Sequence, residues 1–235
     1  MTKSDSPSID LDEKLGIFEL RERFLEHTRH AYGLLPPFES NPPRILDIGC
    51  GAGQPSLDLA RLSGGEVVGI DVDAAALDTM RRRIAEADLG HRVTAMHTSL
   101  QDTDFPPATF DLAWEEGVLH LVDPAESLPR CHHLLAPRGH LVMHETIEWF
   151  TAVRPRLAGF GFTHAQTYLL PEGCWVTDYA APLEERIRAF ERAHAAADLD
   201  AATARALARH ESDAASIRAD PTHQDCGFYI LQKQA

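Results

Sequence analysis

A chain of 235 residues, of which 44% are apolar, can bury one sizeable core and fits a single domain with appendages. The formal net charge of −14 at pH 7 argues against a nucleic-acid or anionic-membrane partner, because neutralising phosphates needs clustered Lys and Arg. The dense basic run Arg81-Arg82-Arg83 is interpreted as a solvated helix face. The sequence has neither the roughly 20 apolar residues of a transmembrane helix nor the apolar core of a signal peptide, so we expect a cytoplasmic location.

The spacing of cysteine and histidine indicates neither a metal site nor a disulfide framework. The cysteines are widely scattered and form no CxxC pair: Cys50, Cys131, Cys174 and Cys226. The neighbours His132 and His133 lie on a predicted helix, where adjacent residues point to different sides. We therefore expect reduced thiols and no bound metal.

Strands and helices alternate through the first two thirds of the chain. Residues 11–35 fit a helical face imperfectly, and PPFESNPP then ends the pattern. RILDI and EVVGID predict buried strands on either side of a helix at residues 55–62. Asp73 is placed to cap the next helix, and Leu77, Met80 and Ile84 lie along its apolar face.

Further strands are predicted at RVTAMHT, FDLAW and HLVMH, with a helix over residues 125–135 and a stop at Pro137-Arg138-Gly139. Such alternation predicts a mostly parallel, doubly wound sheet with helices on both faces. Beyond Glu145 a short helix ends at GFGF, a strand follows at THAQTYLL, a helical region begins near Pro182, and GFYILQK closes the chain as a strand. These last two strands are expected to pair at the sheet edge, with the helical excursion over the ligand face.

The strongest local signal is ILDIGCGAG, in which Gly49, Gly51 and Gly53 fill a turn around Cys50 after a buried strand. Glycines let the backbone come close to a ligand. Dinucleotide-binding proteins use a similar turn, but the pattern here is GxGxG and lacks the third glycine of GxGxxG. A carboxylate at Asp47 would repel a pyrophosphate and suits the ammonium end of an amino-acid-bearing cofactor.

The ends of the next two strands are candidates for the same ligand. Asp71, with Val72 beside it, ends EVVGID about 20 residues after the glycine turn, where a carboxylate accepts hydrogen bonds from ribose hydroxyls. Helix capping is the alternative role, and Asp73 can already supply it. The third strand is expected to bring Ser99 and Leu100 to the adenine edge.

Together these residues resemble the class I S-adenosylmethionine-dependent methyltransferases, over about Arg44 to Glu145. FDLAWEEGVLHLV, LLAPRGHLVMHE and LLPEGCWVTDYAAPLEERI are similar to a subgroup of small bacterial methyltransferases. The resemblance implies an α/β, Rossmann-like sheet of seven strands, mostly parallel, with helices on both faces and an antiparallel last strand. It implies S-adenosylmethionine as cofactor and S-adenosylhomocysteine as product. These residues would line the cofactor: Asp47, Gly49, Cys50, Gly51, Gly53, Asp71, Val72, Ser99, Leu100 and Glu116, the last at the floor near the methionine end.

The predicted organisation has three parts within one domain. Residues 1–41 form an N-terminal helical extension over the cofactor site, residues 42–148 the cofactor-binding core, and residues 149–235 the edge strands with a helical substrate cap. Related proteins carry a longer insertion after the strand that matches HLVMHE. This chain continues almost directly into its next helix, so its acceptor pocket is expected to be more open or differently roofed.

Four residues are candidates for proton transfer to or from the methyl acceptor: Glu116, His120, His144 and Glu145. Methyl transfer is an in-line displacement in which positioning supplies much of the acceleration, and a base is needed only if the acceptor must lose a proton. Histidine accepts protons near neutral pH, and His120 and His144 follow the fourth and fifth strands. The alternative role for each residue is pocket lining without chemistry.

An aromatic wall is predicted on the same face from Trp149, Trp175 and Tyr179, with ordinary packing as the alternative. The function predicted is transfer of a methyl group from S-adenosylmethionine to oxygen, nitrogen or carbon of a small-molecule acceptor. A nicotinamide-dependent oxidoreductase and a non-catalytic S-adenosylmethionine-binding protein are the alternatives. This sequence lacks the GxGxxG turn expected of a nicotinamide-dependent oxidoreductase. A non-catalytic protein would be expected to have lost Asp47, a glycine or Asp71, all of which are present.

Overall fold

The computed structural model describes residues 11–195, 199–220 and 225–234. Two compact units are distinguished by their internal contacts. The sheet unit comprises Leu25–Leu170 and Cys226–Ala235, and the helical unit comprises Met1–Phe24 and Pro171–Asp225. This grouping differs from the predicted three-part division, because the N-terminal helical segment is shared between the units. The predicted placement of a helical extension and cap over the ligand site stays a prediction.

The sheet has seven strands in the order β3-β2-β1-β4-β5-β7-β6. They are β1 Arg44–Ile48, β2 Glu66–Asp71, β3 Val93–His97, β4 Phe110–Glu116, β5 Leu135–Thr146, β6 Phe162–Leu169 and β7 Cys226–Lys233. Strands β1 to β5 pair in parallel, and β7 lies antiparallel between β5 and β6. The predicted seven-stranded, mostly parallel sheet with an antiparallel last strand is confirmed.

Helices occupy the connections between the strands and most of the helical unit. They are α1 Leu11–Lys14, α2 Ile17–Glu22, α3 Leu25–Gly33, α4 Gln54–Ser63, α5 Ala74–Glu86, α6 Pro124–Leu134, α7 Ile147–Val153, α8 Ala181–Ala193 and α9 Ala201–Ala219. A 3-10 turn covers Leu119–Leu121, another follows α7 at Arg154–Phe160, and a π-helix covers Trp175–Ala180. Of the helices in the described residues, none combines the length and apolar character needed to span a membrane.

Helix α5 forms as its sequence predicts. The Asp73 Oδ1 atom accepts hydrogen bonds from the backbone N–H groups of Ala75 (2.9 Å) and Ala76 (3.1 Å), which satisfies two donors of the first turn. The predicted apolar face is buried through Leu77 and Met80. The cap and the apolar periodicity therefore both predicted this helix correctly, and it packs against β2 and β3.

The predicted stop before the fifth strand is wrong in one respect. Strand β5 begins at Leu135 and continues through Pro137-Arg138-Gly139 instead of starting after them. The pairing with β4 shifts register between Phe110 and Leu112, and Arg138 has a φ of 61°. The Pro-Arg-Gly segment is thus a bulge within a strand, because pairing resumes on both sides of it.

Side chains of the strands alternate between two different sheet faces. One face is an apolar core packed by α6 and α7; its members include Leu46, Ile48, Val68, Ile70, Ala113, Leu141, Met143 and Leu231. The other face carries Asp47 in register with Trp114 and, two residues further along β4, Glu116 in register with His144, which in turn pairs with Phe228. We call this second surface the polar face, because buried polar side chains such as Asp47 and His144 lie on it.

The helical unit is held together by polar contacts to its N-terminal helices. Gly16, at φ 58°, makes the turn between α1 and α2. The Arg186 Nη1 atom donates to the carbonyl oxygens of Leu15 (2.9 Å) and Gly16 (2.7 Å). The buried His210 ring of α9 contacts Asp12 of α1, with 2.7 Å between Nε2 and Oδ1.

Candidate functional site

The glycine turn after β1 brings three glycines into left-handed backbone conformations, with φ values of 69° at Gly49, 51° at Gly51 and 83° at Gly53. A Cβ atom at Gly49 would lie 2.2 Å from Val118 Cγ2, and one at Gly53 would lie 2.4 Å from Met80 Cγ. A Cβ atom at Gly51 would meet nothing within 4 Å. Two of the glycines are therefore required by close packing, and Gly51 presents bare backbone to open space.

Asp47 places a buried carboxyl group directly below this turn. Its side chain accepts a hydrogen bond from Ser56 Oγ of α4, and the residue is only 2% exposed. Burial raises the pKa of Asp47 to about 7, and the negative charges of Glu116 and Asp71 act in the same direction. Since three carboxyl groups converge there, the site favours a cation and disfavours a pyrophosphate.

Asp71 joins the glycine turn to the start of α5. Its Oδ2 atom accepts from the Gly51 N–H at 2.8 Å, and its Oδ1 atom accepts from the Asp73 N–H at 2.8 Å. Each carboxylate oxygen has a second lone pair, so the predicted ribose contact is compatible with these bonds. Val72 beside it is 69% exposed.

The other predicted cofactor residues have internal contacts. Ser99 Oγ donates to Asp102 Oδ2 at 2.6 Å, which closes a small turn after β3, and Leu100 is buried in the apolar core. The buried Cys50 Sγ atom lies 3.5 Å from Met80 Sδ, and burial raises the pKa of its thiol far above the usual range. The adenine contacts of Ser99 and Leu100 stay a prediction.

The four candidate proton-transfer residues divide into two pairs on opposite sheet faces. His144 and Glu145 are neighbours on β5, so they point to different faces and cannot face one point together. Glu116 lies in register with His144 on the polar face. His120 contacts Glu145 on the other face. The predicted constellation is therefore not a single cluster.

On the polar face, Glu116 is held by two hydrogen bonds to its Oε1 atom. Thr28 Oγ1 of α3 donates at 2.8 Å and Trp114 Nε1 donates at 2.9 Å. Next to Thr28, the His27 Nδ1 atom lies 2.7 Å from the Tyr168 hydroxyl oxygen. Thr28, His27 and Tyr168 could not be identified from the sequence, because α3 and β6 are far apart in the chain and carry no motif.

His144 is buried beneath this network. Its Nε2 atom lies 3.1 Å from Cys226 Sγ, and its ring stacks on Phe228 with 4.6 Å between centroids. Burial lowers the pKa of His144 to about 4, and the charge of His27 adds to the effect. The ring is therefore neutral near pH 7. It could take a proton from a methyl-accepting substrate only if that substrate reached the buried ring.

His120 follows β4 in the 3-10 turn and is paired with a buried carboxylate. Its backbone N–H donates to Glu145 Oε1 at 2.9 Å, and its Nδ1 atom lies 3.1 Å from Glu145 Oε2. The His120 side chain is 43% exposed, whereas that of Glu145 is 1% exposed. A carboxylate on Nδ1 fixes the tautomer that leaves Nε2 as the proton-accepting nitrogen.

Glu115 is a buried residue of this region that the sequence analysis missed. It is fully buried, and its Oε2 atom accepts from the N–H groups of Val118 (3.0 Å) and Leu119 (3.3 Å). Burial, followed by the charge of Glu145, raises the pKa of Glu115 well above its ordinary value. The signal was the doublet in FDLAWEE: two consecutive glutamates on a strand must enter opposite faces.

Comparison with known proteins identifies the core of the chain. Residues 45–139 match the family model described as a methyltransferase domain. This segment, which is less than half of the chain, is therefore similar to methyltransferase domains. The glycine turn, Asp71 and Glu116 all lie within the matched segment.

Two curated relatives and one solved structure illustrate the likeness. The 27-O-demethylrifamycin SV methyltransferase of Amycolatopsis mediterranei is 29% identical over 53% of this chain and 45% of that protein. A ubiquinone biosynthesis O-methyltransferase of Alkalilimnicola ehrlichii is 37% identical over 42% of this chain and 40% of that protein. The chain thus spans less than half the length of these two relatives. The crystal structure of the cyclase SpnF superposes with a TM-score of 0.71 at 19% identity, covering 91% of this chain and 81% of SpnF, which shows the fold alone.

The three residues of the predicted aromatic wall all lie outside the segment that matches the family model, residues 45–139. Trp175 and Tyr179 are in contact within the helical unit, with ring centroids 5.7 Å apart, and Trp175 stacks on Phe24 at 4.4 Å. Trp149 belongs to the sheet unit and packs against its apolar core. A shared role of the three residues at an acceptor stays a prediction.

Metal ligation has no grouping to support it in the residues that the structure describes, because no three His, Cys, Asp or Glu side chains come together there. The His132 ring makes an edge contact with Phe162, with centroids 5.6 Å apart. The four cysteines are buried, and no disulfide joins them. The described polar side chains of residues 45–139 therefore form hydrogen bonds and charge interactions, and not a cluster of metal ligands.

Proposed function

We propose that this chain transfers a methyl group from S-adenosylmethionine to a small-molecule acceptor. The observation that carries the proposal is the setting of Asp47, a buried carboxyl group beneath the glycine turn whose pKa is raised by burial and by the carboxylates of Glu116 and Asp71. Such a pocket attracts a ligand with positive charge. The methionine portion of the cofactor carries an ammonium and a sulfonium, whereas a dinucleotide would bring a repelled pyrophosphate.

The residues present fit this cofactor along its length. Asp47 would accept the ammonium, and the open space beside Gly51 would admit the chain of the methionine portion. Asp71 would hold the ribose hydroxyls through the lone pairs that its two backbone contacts leave available. The exposed side chain of Val72 would be covered by the adenine ring, with Ser99 and Leu100 at its edge.

In the reaction, S-adenosylmethionine supplies the methyl group from its sulfonium. The chain's own residues would bind, orient and exchange a proton with the acceptor. The negative charge of Glu116, held in place by Thr28 and Trp114, would favour the positively charged end of the cofactor in that position. His120, with its Nδ1 directed at Glu145, would accept a proton at Nε2 from an acceptor hydroxyl or amine.

A small molecule is the acceptor class that charge and similarity support. The curated relatives are named for 27-O-demethylrifamycin SV and for ubiquinone biosynthesis, both of which concern small molecules. The net charge of −14 disfavours a nucleic acid. A cytoplasmic location stays a prediction from the sequence.

Calorimetric titration with S-adenosylhomocysteine, with NADH in parallel, tests the proposal. We expect S-adenosylhomocysteine to bind and NADH to fail, because only the first presents a cation to Asp47. Binding of NADH in its place, or of neither ligand, would refute the proposed function. Once an acceptor is found by transfer of labelled methyl, His120→Ala is expected to slow transfer without loss of S-adenosylhomocysteine binding.

A further inference from the structure

Glu115 presents an energetic problem that the proposed function does not explain. Its carboxyl group is fully buried, and only its Oε2 atom is hydrogen-bonded, to the N–H groups of Val118 and Leu119. Its Oε1 atom is inaccessible and has no hydrogen-bond partner among the described residues. A charged oxygen in that position would lose its solvation without compensation, whereas a neutral hydroxyl without a partner loses much less.

A second buried carboxyl group, that of Glu145, lies on the same sheet face. Glu115 is in register with Met143 on β5, and Glu145 is two residues further along that strand. Glu145 differs from Glu115 because it accepts two hydrogen bonds from His120, including one from a titratable ring. The negative charge is therefore better placed on Glu145 than on Glu115.

Among the described residues, the groups that perturb the pKa of Glu115 are other carboxyl groups and backbone N–H groups, not a cation. Those whose charge or hydrogen bonding acts on the pair are Glu116 of β4, His120 of the 3-10 turn, Cys131 of α6 and Tyr229 of β7. Of these, only His120 can become positive, and its ring is directed at Glu145. Ionising both glutamates would place two like charges in one apolar face.

The same two carboxyl groups hold the turn that follows β4. Glu115 binds the backbone N–H of Val118, whose side chain lies against the glycine turn at Gly49. Glu145 binds the backbone and the ring of His120 at the end of that turn. The position of His120 relative to the proposed cofactor site therefore depends on both residues.

We propose that Glu115 is a positioning residue: as a neutral carboxylic acid it holds the turn after β4 and leaves Glu145 as the charged partner that orients His120. The use of His120 Nε2 as proton acceptor for a methyl acceptor rests on the proposed function. The protonation of Glu115 and the orientation of His120 do not, and both can be measured on the protein alone.

Infrared difference spectroscopy and side-chain ¹⁵N NMR test the proposal in the whole 235-residue chain. At pH 7 we expect a C=O band of a protonated carboxylic acid that Glu115→Gln removes, and a His120 ring protonated on Nδ1. Glu115→Gln keeps a neutral acceptor for the N–H groups of Val118 and Leu119, so the His120 signals should be unchanged. Glu115→Leu removes that acceptor, and the His120 ring should lose its single tautomer.

A wild-type spectrum in which Glu115→Gln removes no C=O band of a protonated carboxylic acid would overturn the proposal. So would a Glu115→Gln protein in which the His120 signals change, since a charged carboxylate would then be required. If Glu115→Leu does not fold, these two results still decide the question. S-adenosylhomocysteine titration of the wild type separates the failures: absence of binding refutes the proposed function and leaves the protonation state of Glu115 to be decided by spectroscopy.

Discussion

Cofactor binding should depend on pH through Asp47. In the ligand-free protein, burial and two nearby carboxylates raise the pKa of Asp47 to about 7. An ammonium bound beside it would favour the charged carboxylate and lower this pKa. Binding therefore releases a proton below pH 7, so affinity is highest above pH 7 and is lost as the pH falls through that value.

The magnitude follows from the fraction of Asp47 that is charged before binding. With a pKa of about 7, S-adenosylhomocysteine should bind roughly eightfold more tightly, or by about 1.3 kcal/mol, at pH 7.5 than at pH 6.0. Calorimetric titration at these two pH values, in buffers of different ionisation enthalpy, measures both the affinity and the released proton. Asp47→Asn should bind more weakly and show a much smaller pH dependence.

The matched control is Asp73→Asn, which alters a nearby carboxylate that caps α5. Asn is as good a helix cap as Asp, so this variant should fold normally and keep the wild-type dependence on pH. The reasoning is refuted if the wild type binds equally well at both pH values, or if Asp47→Asn retains the full dependence.

Three further outcomes are expected. Glu115→Gln should be as stable as the wild type near pH 4 and relatively more stable at higher pH, by up to about 1.4 kcal/mol per pH unit, because a raised folded-state pKa makes the wild type lose stability as pH increases. Urea titrations across pH measure this difference, with Glu126→Gln at an exposed position as control. If the free energies of unfolding of the wild type and Glu115→Gln changed equally with pH, the prediction would be wrong. Gly53→Ala should lower the unfolding free energy by more than Gly51→Ala, because both variants carry the cost of about 1–2 kcal/mol for a side chain on left-handed backbone and only Gly53→Ala adds a clash with Met80; Gly51→Ala should in addition weaken S-adenosylhomocysteine binding. Equal losses of stability in the two would count against the open space at Gly51. Asp71→Ala should weaken that binding by roughly 1–3 kcal/mol, and unchanged affinity would remove Asp71 from the ribose site.

The sheet could be predicted from sequence because its strands are short apolar runs between recognisable turns. RILDI and EVVGID have the bounds that the structure shows for β1 and β2. The bulge in β5 could not be predicted, since Pro-Arg-Gly is typical of a turn and only the pairing with β4 shows that the strand continues. Local sequence identifies an interruption, whereas its type depends on the neighbouring strand.

The glycine turn and its acidic flanks could be predicted because one short segment carries them. The proton-transfer candidates were harder, because their faces depend on alternation along strands and on partners distant in the chain. Counting positions from Glu116 and Glu145 would have separated His144 from Glu145 and revealed Glu115. The contacts of Thr28 and His27 depend on the docking of α3 against β4 and β6, which no local pattern encodes.

A crystal structure of the S-adenosylhomocysteine complex tests the central claim most directly. The account predicts the ligand's ammonium nitrogen within hydrogen-bonding distance of Asp47, directly or through one water, and a ribose hydroxyl on Asp71. A ligand whose ammonium points away from Asp47, or one bound elsewhere than the glycine turn, would contradict it.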